Sequence, residues 1–323
     1  LPREKLLERW RESNTFLDLV QKRLSQYLET KRAAFARFYF LSDAELLDIL
    51  SSTKDPRAVQ DHLKKCFEGL NKVVFDDDMN IVKMRSEEGE VVTCKEPVDP
   101  KGKNVEHWMT ELEGMMRTSV KHVLFRSVVD YTETPRIEWI QKWPGQCVLN
   151  GSQLHWTRLI EENLREHGAD GVQKALDVQL GQLADMVKLV RGRIDKLQRI
   201  TMSALTVVDV HARDVTRKML AEKIASTNDF LWISQMRYYW HPADEEGVDP
   251  EHEEYPYATG GEDDGDMWVM MVSSNRPYGY EYLGNSFRLV ITPLTDKCYM
   301  TLMGALQLQL GGAPAGPAGT GKT

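Results

Sequence analysis

Apolar residues recur at three- and four-residue spacing along most of this chain, which predicts a succession of helices. Over residues 1–40, Leu6, Leu7, Trp10, Phe16, Leu17, Val20 and Leu24 form a broad apolar stripe opposite a charged face. Ser42-Asp43-Ala44-Glu45 has the form of a capping box before Leu46, Leu47, Ile49 and Leu50. Asp55-Pro56 restarts a helix, with Asp as N-cap and Pro at the first helical position. Val59, Leu63, Cys66, Phe67 and Leu70 would be its buried face.

The period then changes. Residues 72–75 and 81–84 read as strands, and Ser86-Glu87-Glu88-Gly89-Glu90 as the turn into a strand over 91–94. Residues 98–104 read as a surface loop. A helix over 105–125 points Trp108, Leu112, Met115 and Met116 inward. Thr134-Pro135 opens a short helix carrying Trp139 and Ile140, which Trp143-Pro144-Gly145-Gln146 breaks. Over residues 171–210, Leu176, Leu180, Leu183, Met186, Val187, Val190, Ile194 and Leu197 predict one long bundle helix of coiled-coil-like spacing, and 213–224 a further helix. Trp232, Tyr238, Tyr239 and Trp240 read as core packing at a helix–strand junction. Strand-like runs return at 268–272 and 286–292. Up to about residue 275 the pattern describes an elongated, mostly helical array with a small β insertion at about 72–94. No nucleophile–base pair, paired-carboxylate site or metal cluster stands out in it.

The last eight positions carry the clearest chemistry. Gly316-Pro317-Ala318-Gly319-Thr320-Gly321-Lys322-Thr323 fits G-x-x-x-x-G-K-[ST], the phosphate-cradling P-loop. Its glycines can take backbone angles that turn successive N–H groups around phosphate oxygens. Lys322 brings a cation to the β- and γ-phosphates, and Thr323 a hydroxyl to Mg²⁺. Just upstream, residues 305–310 alternate with period two, as the strand before a P-loop should. They read equally as the end of a helix begun at Asp296 and Lys297.

Composition adds bounds. At 41% hydrophobic and 28% charged residues the chain can bury an ordinary globular core. No apolar run is long enough to span a bilayer, and the charged start is not a signal peptide. The chain lacks an initiator Met, which suggests a piece of a longer protein. Cys66, Cys94, Cys147 and Cys298 are too scattered for a metal site, and reduced thiols are expected. His62 and His107 lie within helical patterns and read as core-edge or solvated residues. Of the net charge of −8, an acidic stretch at about residues 243–266, with eleven Asp and Glu and no Lys or Arg, accounts for more than the total. It reads as a solvated, mobile loop. Nothing resembles a nucleic-acid footprint, so neither nucleic acid nor membrane is an expected partner.

Several motifs, in order, resemble dynein heavy chains. Tyr280-Glu281-Tyr282-Leu283-Gly284-Asn285, then Arg288 to Tyr299 with its Leu289-Val290-Ile291-Thr292-Pro293-Leu294, then Leu310-Gly311-Gly312-Ala313-Pro314 before the P-loop, look like the entry to the first AAA+ module. Tyr39 to Leu47, Cys66-Phe67-Glu68-Gly69, Trp143-Pro144-Gly145-Gln146, the long helix before Met202 and Asp229 to Trp240 resemble the linker ahead of it. The wording of residues 311–315 is closer to axonemal than to cytoplasmic dyneins.

The resemblance implies a linker over residues 1–275 and, over 276–323, the truncated start of an α/β AAA+ module ending at the P-loop. The fold class would then be mainly α, a helical-bundle rod followed by that module. ATP and Mg²⁺ would be the cofactors. Residues 316–323 would hold the phosphates, with Thr323 on the metal, and Leu289, Val290, Ile291, Thr292, Pro293 and Leu294 would border the adenine. The linker would bend and straighten as ATP is bound and hydrolysed, with hinges at Gly145 to Gly151 or Gly168 to Gly171. Partners would be the rest of the AAA+ ring, a microtubule through a stalk, and intermediate and light chains through a tail, all through segments outside this chain. No hydrolytic residue can be assigned here, so the chain alone is expected to turn over no ATP. The expected location is the axoneme of a cilium or flagellum, with cytoplasm as the alternative. Two other readings remain open: a helical protein-interaction module, and the N-terminal part of an unrelated P-loop ATPase.

Overall fold

The structure, a computed structural model, describes residues 3–51, 55–242, 262, 265–285 and 290–317. It is mainly helical with two small antiparallel sheets, and it divides into two compact units.

The first unit comprises Leu1–Ser119 and Glu281–Leu283. Its first helix, α1 (Arg3–Ala34), buries Leu28 completely near its C-terminal end. The predicted apolar stripe, by contrast, lies in solvent, with Trp10 67% and Leu17 64% exposed. A short 3₁₀ segment, Ala36–Phe40, buries Phe38, and α2 follows (Asp43–Ser51). The expected capping box forms there. The Ser42 amide donates to Glu45 Oε2 (2.9 Å) and the Glu45 amide to Ser42 Oγ (3.4 Å). Asp55 caps as its position suggests, accepting from the Arg57 amide (3.0 Å). The segment it opens, Pro56–Asp61, is however a 3₁₀ turn that leads into one turn of helix, α3 (Leu63–Cys66).

Three strands, β1 (Lys72–Phe75), β2 (Ile81–Arg85) and β3 (Val91–Val98), form an antiparallel meander. Period-two alternation puts Val73, Met84, Val92 and Cys94 on its buried face, and a register shift between Ile81 and Lys83 lets Ile81 be buried as well. Residues 105–119 of α4 (Val105–Asp130) complete this unit, with Trp108, Leu112 and Met116 inward. Residues 281–283 run against Gly69, where a Cβ would come within 2.3 Å of the Leu283 carbonyl carbon. Only glycine permits that approach.

The second unit comprises Val120–Tyr280 and Gly284–Thr323. After the rest of α4 come α5 (Arg136–Lys142), α6 (Gly145–His167), α7 (Ala169–Arg191) and α8 (Lys196–Ala221). The expected single helix over 171–210 is therefore two. Gly192 ends α7, and Asp195 starts α8 with a reciprocal cap, the Gln198 amide donating to Asp195 Oδ1 (2.7 Å) and the Asp195 amide to Gln198 Oε1 (3.1 Å). Local capping chemistry outweighs continuous apolar spacing there. Residues 213–221 continue α8 rather than forming a separate helix. Gly145 to Gly151 lie inside α6, whereas Gly168 (φ 56°) separates α6 from α7.

Two apolar cores hold the bundle. One gathers Trp156, Ile160, Val172, Val215, Met219 and Trp232; the other Trp139, Val148, Met186, Met202 and Leu205. One turn of helix, α9 (Phe230–Ile233), leads to a second sheet of β4 (Arg237–Pro242), β5 (Gly265–Met271) and β6 (Ser274–Pro277), paired in that order. The aromatic cluster is core packing, as expected: Trp232, Tyr239 and Trp240 are buried. Glu161, itself buried, accepts from Trp232 Nε1 (3.1 Å) and Tyr239 Oη (2.7 Å). The end of the stretch expected as an acidic loop is a strand instead. Gly265 and Asp266 belong to β5, opposite Pro242 and His241, and Tyr280 Oη donates to the Asp266 carboxylate. Glu262 meets His122, while residues 243–261 and 263–264 lie outside the described residues. The last helix is α10 (Pro293–Gln307). Among the described residues no helix is long and apolar enough to cross a membrane.

Candidate functional site

The residues expected to border a nucleotide base sit where α10 begins. Leu289 lies outside the described residues. Thr292 is an N-cap rather than part of a strand: its amide donates to Thr295 Oγ1 (2.8 Å), the Thr295 amide to Thr292 Oγ1 (3.3 Å), and Pro293 takes the first turn. The strand-like reading of 286–292 thus fails over 290–292, which have no regular structure.

Val290, Ile291 and Pro293 line one side of an open cleft of about 850 Å³. The other side comes from α8 (Val207, Val210, His211) and from Phe230, Leu231 and Gln235 around α9. Leu294, 71% exposed, is not part of this lining. Asp296 also lines the cleft, with its carboxylate 3.8 Å from His211 Nε2; burial pushes its pKa upward, and the His211 charge opposes this. The surface of the cleft is mainly apolar, and charged side chains that include Asp214, Lys218, Glu222 and Lys297 also line it.

Sequence pattern did not single out the α8 wall, because those positions read as ordinary helix surface. Phe230 is 62% exposed on the cleft, two positions before the fully buried Trp232, and the sequence did not distinguish it from core.

Residues 305–310 resolve the ambiguity ahead of the P-loop against a strand. Residues 305–307 are the last of α10, and a Schellman motif closes it. Gln309 takes a left-handed conformation (φ 57°), the Leu310 amide donates to the Ala305 carbonyl (2.8 Å), and the Gln309 amide to that of Leu306 (3.0 Å). Beyond it Gly316 and Pro317 are exposed in irregular backbone. Ala318, Gly319, Thr320, Gly321, Lys322 and Thr323, the remaining phosphate and Mg²⁺ positions, lie outside the described residues. The described part therefore places Val290, Ile291 and Pro293 of the expected base-lining run on an open cleft, while six of the eight phosphate-loop positions are known from the sequence motif alone.

Other chemistry is sparse. No group of three or more His, Cys, Asp or Glu among the described residues could hold a metal ion. Cys66, Cys94 and Cys147 are buried and in no disulfide, and burial pushes Cys66 and Cys94 up to about 11, so those two are unreactive at neutral pH. Cys298 is an exposed free thiol.

Comparison with known proteins gives a consistent result. A family model described as dynein heavy chain, N-terminal region 2, matches residues 1–127, and one described as the hydrolytic ATP binding site of dynein motor region matches residues 278–323. Dynein axonemal heavy chain 1 of Homo sapiens is 49% identical over 320 residues, 99% of this chain and 7% of that protein. Dynein axonemal heavy chain 3 of Mus musculus is 47% identical over 323 residues, 99% of this chain and 7% of that protein. Dynein axonemal heavy chain 12 of Rattus norvegicus is 46% identical over 320 residues, 98% of this chain and 10% of that protein. The chain spans a tenth or less of the length of these relatives.

Proposed function

Because this chain belongs to the dynein heavy-chain family, we propose that it is part of an ATP-driven microtubule motor of the axoneme. In this reading residues 1–275 are the linker, the mechanical element, and 276–323 are the start of the first AAA+ module. The observation that carries the reading is the order of the two family matches, with the G-x-x-x-x-G-K-T sequence of residues 316–323 inside the second.

The base would lie against Leu289, Val290, Ile291, Thr292, Pro293 and Leu294. The cleft at Val290, Ile291 and Pro293 supports the part of this assignment that is described, although Leu294 faces elsewhere and Thr292 is engaged as a cap. Residues 316–323 would hold the phosphates through backbone N–H groups and Lys322, and Thr323 would ligate Mg²⁺. ATP bound there supplies the free energy. The helical bundles change between two arrangements whose balance the nucleotide sets, with Gly168, between α6 and α7, as a hinge candidate. The rest of the ring, the microtubule contact and the accessory chains belong to segments outside this chain.

The test is Lys322→Ala in the full-length heavy chain, with microtubule-stimulated ATPase and gliding speed as readouts. Loss of both is expected. Unchanged gliding speed would overturn the reading.

A further inference from the structure

The four-helix part of the second unit encloses a small polar cavity of about 20 Å³, bordered by Tyr131, Arg136, Trp156, Gln179, Gln182 and Asp209. We propose that this cavity is a binding site for one ordered internal water, which bridges α5, α6, α7 and α8.

Size and polarity carry the assignment. A buried water needs roughly 10–15 Å³ of space accessible to its centre, together with two to four polar partners. The cavity meets the first condition for one water and is too small for an organic solute. It meets the second through groups that the described protein atoms leave unpaired. Gln179 is 5% exposed, and neither its Nε2 nor its Oε1 has a protein partner. Arg136 Nε and the indole Nε1 of Trp156 are likewise buried without one.

The rest of Arg136 is already engaged. Its Nη2 donates to Ser152 Oγ (2.8 Å) and to both carboxylate oxygens of Asp209 (3.0 and 2.8 Å), and its Nη1 faces Met186 Sδ (3.6 Å). Arg136 Nε, Trp156 Nε1 and Gln179 Nε2 are therefore donor nitrogens without a protein partner, and Gln179 Oε1 an acceptor without one, on residues that line the space. A water can accept from two of those donors and donate to Gln179 Oε1 and to a carboxylate oxygen of Asp209.

Other occupants fit less well. A small anion would lie beside the Asp209 carboxylate. A cation would face the Arg136 guanidinium and the N–H donors of Trp156 and Gln179, and the cavity lining holds no acidic group besides Asp209. An empty cavity is expected only where the lining is apolar. The site also accounts for Gln179 in α7, a polar residue among the buried Val172, Ala175, Leu176 and Met186. Burial of an amide on that face is tolerated when its hydrogen bonds are completed.

The test is a structure of the full-length heavy chain at a resolution that shows ordered waters, for the native protein and for Gln179→Met. Methionine fills a similar volume and makes no amide hydrogen bond. Native density within hydrogen-bond distance of the Gln179 amide, lost in Gln179→Met, is the expected result. A native map without density there overturns the proposal, as does density unchanged in the variant. Should Gln179→Met fail to fold, Trp156→Phe removes one donor and leaves the amide. Weakened density then supports the proposal, and unchanged density overturns it.

Discussion

Arg37 and Glu281, far apart in sequence, form a two-pronged ion pair, Nη1 to Oε1 at 2.8 Å and Nη2 to Oε2 at 2.9 Å. Arg37 also donates to the Cys66 carbonyl (3.1 Å) and to Glu113 (3.2 Å), and its guanidinium lies 4.7 Å from the centre of the Phe67 ring. One guanidinium thus joins the segment 281–283 to the helical and 3₁₀ elements of the first unit. The fork geometry matches a carboxylate in a way lysine cannot. Hydrogen bonds to Arg37 hold the Glu281 pKa below the usual carboxylate range.

Removing the Glu281 charge takes away the two-pronged partner and leaves Arg37 with Glu113 and the Cys66 carbonyl. Glu281→Gln is expected to destabilise the first unit by about 1–3 kcal/mol, the range for charge-assisted hydrogen bonds that are partly solvent-exposed. Thermal unfolding followed near neutral pH checks this. Because the folded pKa is depressed, the stabilisation is fully present above the unfolded carboxylate value near 4.3 and is lost as pH falls through the lower folded value. The difference between native protein and Glu281→Gln should therefore shrink in acid. A gap that stays constant from neutral pH to about pH 3 would contradict the assignment.

A second pH effect comes from the second unit. His155 is buried, its ring stacked on Tyr131 at 3.9 Å and 10°, with Nε2–H donating to the Val128 carbonyl (3.0 Å). Arg136 and Asp209 border the same cavity, and Arg158 acts on the ring electrostatically. Burial lowers the His155 pKa to about 4. The folded protein keeps this ring neutral where an unfolded chain, near 6.5, would protonate it. Stability from this group is present above about 6.5 and falls progressively as pH drops towards the folded value, by about 2 kcal/mol at pH 5. Unfolding midpoints at pH 7 and pH 5 should show this loss, and His155→Gln should reduce it. An equal acid loss in both proteins would show that other groups are responsible.

Local chemistry made parts of this fold legible from sequence. Ser42 with Glu45, and Asp55 before Pro56, announced their caps because a cap uses neighbours a few positions apart. Strands β1 to β3 were legible because Gly89 and the polar turn residues separate runs of period two. The break at Gly192 was masked by apolar spacing that continues on both sides of it. Thr292 was overlooked as a cap because Thr295 is not the usual Glu or Gln partner. Residues 305–310 alternate like a strand only because their leucines fall at every second position; the backbone is set by α10 and by Gln309 in a left-handed turn. Contacts between distant segments, such as Gly69 against Leu283 and Arg37 with Glu281, leave no periodic trace.

The cleft at the start of α10 gives the sharpest test of the base-binding assignment. Val290 is 68% exposed while lining that cleft, so its replacement should cost the fold little. Val290→Asp would put a carboxylate against the apolar face of a purine, where it must be desolvated on binding. In the full-length heavy chain the expected result is a roughly tenfold rise in KM for ATP, about 1.4 kcal/mol, with kcat retained, since the loss falls on binding common to ground and transition states. Val290→Leu keeps the surface apolar and should leave KM near the native value. If Val290→Asp leaves KM unchanged while Lys322→Ala abolishes turnover, the phosphate motif stands and the base lies elsewhere. If both variants leave activity intact, nucleotide is not bound by this segment at all.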